Sequence, residues 1–140
     1  MGIPNGYPIN GGDFPAHNAA VTDIPANTAV VFDTANPPTN DQCMTVKIPA
    51  AAGSVQAPAG ITVEVIKAGY SGRVRRYGAQ KATAHGTVAI GDFVQVSSTA
   101  AHEGQVKTAG AAIGVLGQCL RGGSDAEEVL IDVRPSFTAA

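Results

Sequence analysis

The sequence predicts an all-β fold: a small single-domain β-barrel or β-sandwich with an extended N-terminal arm. Three observations carry that expectation. Apolar residues make up 44% of the chain but aromatics only 5%, and there is no Trp. The core must therefore come from small and β-branched groups, and Val and Thr favour pleated backbone because branching restricts χ1. The 17 Gly and 9 Pro interrupt any long helix. Turn signals recur roughly every 8–12 residues, the spacing of a barrel or sandwich. At 140 residues the chain is one domain by size, able to bury about 70% of the surface its unfolded form exposes.

Residues 1–20 read as the arm and residues 21–140 as a single β-rich domain. The opening "MGIPNGYPINGGDFPAHN" combines Pro4, Pro8 and Pro15 with Gly and Asn, too poor in apolar groups to order itself by burial. It has neither the charged nor the continuous apolar region of a signal peptide. Its apolar residues Ile3, Tyr7, Ile9 and Phe14 recur along it as anchors. Two readings stand: a frayed terminus, or a strap that orders on a partner. No run of about 18 apolar residues occurs, so no membrane span is expected, and we expect a soluble protein folded in a cytoplasm.

Beyond the arm, strand follows strand. "VTDIPANTAVVF" places a Pro-Ala-Asn turn between two β-prone runs, and "NPPTNDQC" enforces a loop. "MTVKIP" alternates Met44, Val46 and Ile48 against Thr45 and Lys47, and "ITVEVI" alternates Ile61, Val63 and Val65 against Thr62, Glu64 and Ile66, the period of half-buried strands. "TVAIGDFVQVS" reads as a hairpin turning at Gly91-Asp92, with Phe93, Val94 and Val96 in its second strand. "QVKTAGAAIGVLGQCL" and "EEVLIDVRP" supply the closing strands, joined by "RGGSDA". "VTDIPANTAVVF" and "TVAIGDFVQV" echo one another. Two hairpins built on common turn chemistry look alike without a duplication, and the echo is read that way.

Reactive constellations are missing from the pattern. His17, His85 and His102 have no second ligand at metal spacing. There is no GxSxG, P-loop or GxGxxG motif. Glu127 and Glu128 point to opposite faces of a strand and do not form a two-carboxylate pair. Cys43 and Cys119 are no disulfide framework and read as ordinary buried thiols. We therefore expect no enzymatic activity, no catalytic or metal site and no cofactor. The net charge of −2, with a sequence pI near 5.8, lacks the basic excess of a protein that binds by phosphate neutralisation.

Charge concentrates only in "GRVRRYG". On a strand Arg73, Arg75 and Tyr77 share one face, while Val74 and Arg76 share the other. The first face suits base stacking on single-stranded nucleic acid in an OB-like module. It also suits bidentate contacts to an acidic protein surface, or a solvated edge strand guarded by charge.

The second half, "GRVRRYGAQKATAHGTVAIGDFVQVSSTAAHEGQVKTAGAAIGVLGQCLRGGSDAEEVLIDVRP", resembles the capsid cement, or head decoration, proteins of tailed bacteriophages. The resemblance is carried by Gly91-Asp92, Ile113-Gly114-Val115 and the final strand. It implies a structural virion protein, without enzymatic activity or cofactor, made in the host cytoplasm. Such a protein sits on the outer surface of an icosahedral head, commonly as a homotrimer, and stabilises the capsid by bridging neighbouring major capsid protein subunits. On that reading Ile3, Tyr7, Ile9 and Phe14 are expected to contact the capsid, and Arg73, Arg75, Arg76 and Tyr77 to serve the capsid or subunit interface. No direct contact with nucleic acid or membrane is expected. Another virion β-module, of tail or fibre, is the alternative.

Overall fold

The computed structural model describes residues 12–38, 43–110 and 114–136. Ten strands follow in chain order: β1 (Asp13–Asn18), β2 (Ala29–Phe32), β3 (Met44–Lys47), β4 (Pro58–Thr62), β5 (Ser71–Arg75), β6 (Gly78–Thr83), β7 (Phe93–Val96), β8 (Val106–Thr108), β9 (Val115–Arg121) and β10 (Glu128–Val133). No helix occurs among the described residues, and the fold is all-β, as the composition requires.

The first five strands close into a barrel in the order β1-β3-β2-β4-β5, and the last five form a sheet in the order β6-β10-β9-β7-β8. The second arrangement repeats the first. Taking β1 to β5 onto β6 to β10, every antiparallel pair of the barrel has its counterpart. The parallel β1–β3 pair, with Asn18 opposite Val46, recurs as a parallel bridge between Ala84 and Val106. Registers agree residue by residue. Ala29 opposes Ile61 as Phe93 opposes Gln118, Val30 opposes Gly60 as Val94 opposes Gly117, and a register shift follows Val30 and Val94 alike. At Gly60 and Gly117 a Cβ would strike the backbone carbonyls of Arg75 and Asp132, themselves equivalent positions, so both halves need glycine there for the same close approach of strands.

A shorter unit underlies this. Ile24 bridges Ile66, and Val88 bridges Gly123. Beyond each of the four, the chain turns through a residue of positive φ, namely Asn27 (61°), Gly69 (80°), Gly91 (89°) and Ala126 (69°), and enters β2, β5, β7 or β10. The echo between "VTDIPANTAVVF" and "TVAIGDFVQV" is thus a true structural repeat, and its reading as coincidence is corrected. The hairpin expected over Thr87–Ser97 is corrected too. The Asp92 carboxylate accepts from the Ala89 N–H at 3.0 Å and from the Thr108 hydroxyl at 3.1 Å, which fixes the turn. Val88 then pairs with Gly123, while β7 pairs with β8 and β9.

Two further expectations shift. Asp13–Asn18, assigned to the arm, are a barrel strand between β3 and β5. Its apolar content is low because small and polar groups suffice there: Ala16 is fully buried, and the buried Asn18 amide donates to the carbonyls of Thr22 and Ile66. Pro15 precedes the first residue paired to β3, Ala16, so its missing N–H costs that ladder nothing. The strand read in "ITVEVI" ends at Thr62, leaving Val65 exposed and Ile66 in a bridge.

One apolar cluster fills the first barrel: Ala16, Ile24, Val30, Val46, Ala59, Ile66 and Val74, with Phe14, Phe32 and Ile48 packed against it. The other lies in the second half but includes Ala29, Val31 and Ile61 of the first. Both faces of β2 and β4 are consequently buried, and the two halves share a core as a single domain.

Candidate interaction surface

Asp13 organises the arginines that the sequence singles out. It begins β1, directly opposite Arg75 on β5. Arg75 grips its carboxylate with two bonds, Nε to Oδ1 at 2.8 Å and Nη2 to Oδ2 at 3.2 Å, and its Nη1 donates to the Ala79 carbonyl at 3.0 Å. The Asp13 hydrogen bond, outweighing partial burial and joined by the charge of Asp13, raises the Arg75 pKa. Arg73 lies 3.7 Å from the same carboxylate and 3.6 Å from Glu64. The two side chains do share a face, and that face is locally neutralised.

Arg76 and Tyr77 follow the end of β5. Arg76 turns to the barrel rim, where Nη1 donates to the carbonyls of Pro58 and Ala59 at 3.3 and 3.1 Å. Its guanidinium lies 5.3 Å from the centre of the Phe32 ring and 5.8 Å from that of Tyr77. Phe14, expected in the arm, is half-buried at this rim with its ring centre 6.0 Å from that of Phe32. Ile3, Tyr7 and Ile9 lie outside the described residues. Of the eight residues proposed from sequence, the fold brings Phe14, Arg76 and Tyr77 to one end of the first barrel and Arg73 and Arg75 to its flank.

Sequence reasoning missed an apolar groove on the second half, lined by Phe93, Val115, Gln118, Asp132 and Arg134. Phe93 is 58% exposed. The signal was available in "FVQV": period-2 alternation places Phe93 with Gln95, away from the buried Val94 and Val96.

Among the described residues no three His, Cys, Asp or Glu side chains gather as a metal site. Cys43 and Cys119 are both free thiols, and burial pushes the Cys119 pKa up, away from the thiolate form that reactivity requires. His85 and His102 stack with ring centres 4.0 Å apart, their Nδ1 atoms hydrogen-bonded to Ser97 and Gln105. These contacts orient both rings within the fold. The described surface offers shape, apolar area and paired charge.

Comparison with known protein families and with curated proteins yields no match. Among solved structures, the chain is similar to the N base of the head fiber gp8.5 of bacteriophage phi29. The TM-score is 0.60 at 15% sequence identity, over 91% of this chain and 96% of that one.

Proposed function

We propose that this chain is a structural protein of a tailed-phage virion that binds the outside of the head and stabilises it by bridging major capsid protein subunits. The observation that carries the reading is the likeness to a head-fiber base, which runs the length of both chains. The resemblance of the second half to head decoration proteins points the same way. A surface of apolar rim, groove and neutralised arginines suits protein contact better than phosphate contact, since Asp13 already occupies Arg73 and Arg75.

The mechanism is multivalent. A homotrimer turns each later contact with the shell into an intramolecular event, so that modest interfaces sum to firm attachment. A protein that binds the assembled shell and not its free subunits stabilises the shell by mass action. The residues proposed for shell contact are Ile3, Tyr7 and Ile9; Phe14 is half-buried at the barrel rim beside Phe32 and belongs to the fold. A second reading, favoured by the same likeness, makes the domain the base on which a head fibre stands; it keeps the site of attachment and changes what the domain carries.

Co-sedimentation of the purified protein with heads of the source particle, before and after expansion, tests the proposal. Saturable binding at a fixed ratio to the major capsid protein is expected. Binding to tails alone, or to neither, overturns it.

A further inference from the structure

The repeat makes one half a template for the other. In the first half the outer face of β2 and β4 is covered: Ala29, Val31 and Ile61 are buried in a cluster continuous with the second half. What covers it is the rim of the second unit. There the Gly104 carbonyl accepts from the Ala29 N–H at 2.8 Å, and the Ser98 carbonyl accepts from the Ala52 N–H at 2.7 Å. Gln80 of β6 donates to the Asn27 side chain at 2.7 Å. Gly104 fits so closely that a Cβ would meet the Thr28 and Ile48 methyl groups.

Register carries each side of this contact to the opposite half. Ala29, Val31 and Ile61 become Phe93, Gln95 and Gln118. That face is open among the described residues, and it holds the Phe93 groove. In the other direction Gln80, opposite Ile131, becomes Phe14, opposite Val74. The bond from Asp33 N–H to the Thr45 carbonyl matches the bond from Ser97 N–H to the Gln105 carbonyl, so Gly104 becomes Met44, and Val96, preceding Ser97, becomes Phe32. The rim of the first barrel thus offers Phe14, Phe32 and Met44, the last 47% exposed, where the second unit offers the surface that receives a barrel.

We infer that the Phe93 face docks on the Phe14, Phe32 and Met44 rim of a second copy of this chain, repeating between copies the contact that joins the two halves within one. The occupant is a second copy because the rim of this same fold already receives the equivalent face inside the chain. The contact is heterologous: each copy carries one face and one rim, so copies join head to tail until the ring closes. The inference rests on the self-association in the function proposed above and names the surfaces that make it. It requires no head.

The test uses the full chain in solution and reads mass by native mass spectrometry and light scattering up to the highest soluble concentration. The wild type is expected as a closed oligomer of one size. Phe93→Glu on the face and Met44→Glu on the rim are each expected as monomers with an unchanged circular-dichroism spectrum. Gln118→Glu serves as a second face variant should Phe93→Glu misfold. Mixing the face variant with the rim variant leaves one intact contact per pair, so the mixture is expected to yield a one-to-one heterodimer and nothing larger. A monomeric wild type, a face variant with the wild-type mass, or a mixture that stays monomeric each overturns the inference. Head co-sedimentation is scored separately: an oligomer that fails to bind heads removes the proposed function and leaves this interface standing.

Discussion

Ala29 and Phe93 occupy the same place in the two halves, each opposite an equivalent partner across the sheet, yet Ala29 is fully buried and Phe93 is 58% exposed. The difference follows from what lies above them, since the backbone beneath is shared. Stability should divide accordingly. Ile61→Ala, beside Ala29, is expected to cost about 2–5 kcal/mol, the range for a large-to-small change in a packed core. Phe93→Ala, measured by urea unfolding at a dilution where the chain is monomeric, is expected to stay within about 0.5 kcal/mol. Equal losses at the two positions would mean that the Phe93 face is covered within one chain.

Truncation separates the arm from the barrel. Deleting residues 1–11 removes Ile3, Tyr7 and Ile9 and is expected to leave the cooperative thermal transition in place while weakening attachment to heads. Deleting through Asn18 removes β1, which pairs on both sides, and is expected to abolish the transition. A folded product of the longer deletion, seen by circular dichroism, would contradict the placement of β1 in the barrel.

The four turns that enter β2, β5, β7 and β10 predict substitutions of opposite sign. Gly91 has φ of 89° and open space where a Cβ would stand, so the cost of Gly91→Ala is conformational alone, about 1 kcal/mol. Ala126 holds the matching position at 69°. Ala126→Gly relieves the crowding of an L-residue there, about 1–2 kcal/mol, against the entropy that glycine loses, about 0.5–1 kcal/mol. Denaturation midpoints should move down for the first variant and up for the second.

The stacked histidines predict a pH dependence. Burial, then the neighbouring charges of His102 and Lys107, lower the His85 pKa, with Asp125 opposing them. The folded chain therefore takes up this proton less readily than the unfolded chain, whose histidine titrates near its ordinary value of about 6.5. The contribution is complete above that value and is lost as pH falls through it toward the lower folded value. Melting temperature should decline from about pH 7.5 to 5, above the ordinary carboxylate range, and His85→Asn should flatten the decline. An unchanged slope in the variant would assign it to other groups.

Much of the fold was legible because it is local. "MTVKIP" and "EEVLIDVRP" carry strand period, and β3 and β10 lie there. What period 2 does not disclose is the partner: it identified a strand at Phe93–Val96 but supplied Thr87–Ile90 as its mate, when Val88 belongs beside Gly123. β1 was lost to composition because its ordering comes from strands distant in sequence. The repeat stayed faint because equivalent positions share backbone and not side chains, Gly123 standing for Ile66 and Ala126 for Gly69. The arginine cluster was visible, but its meaning was not: Asp13, which neutralises it, is brought near only by β1–β5 pairing.

The most direct measurement is a cryo-electron microscopy reconstruction of the source particle, with this chain fitted as a rigid body. Density is expected on the outer surface of the head that accepts the two five-stranded units of each copy, joined head to tail around a symmetry axis and seated across neighbouring capsid subunits. Density for this fold found only in the tail, or a head whose outer surface carries none, would contradict it.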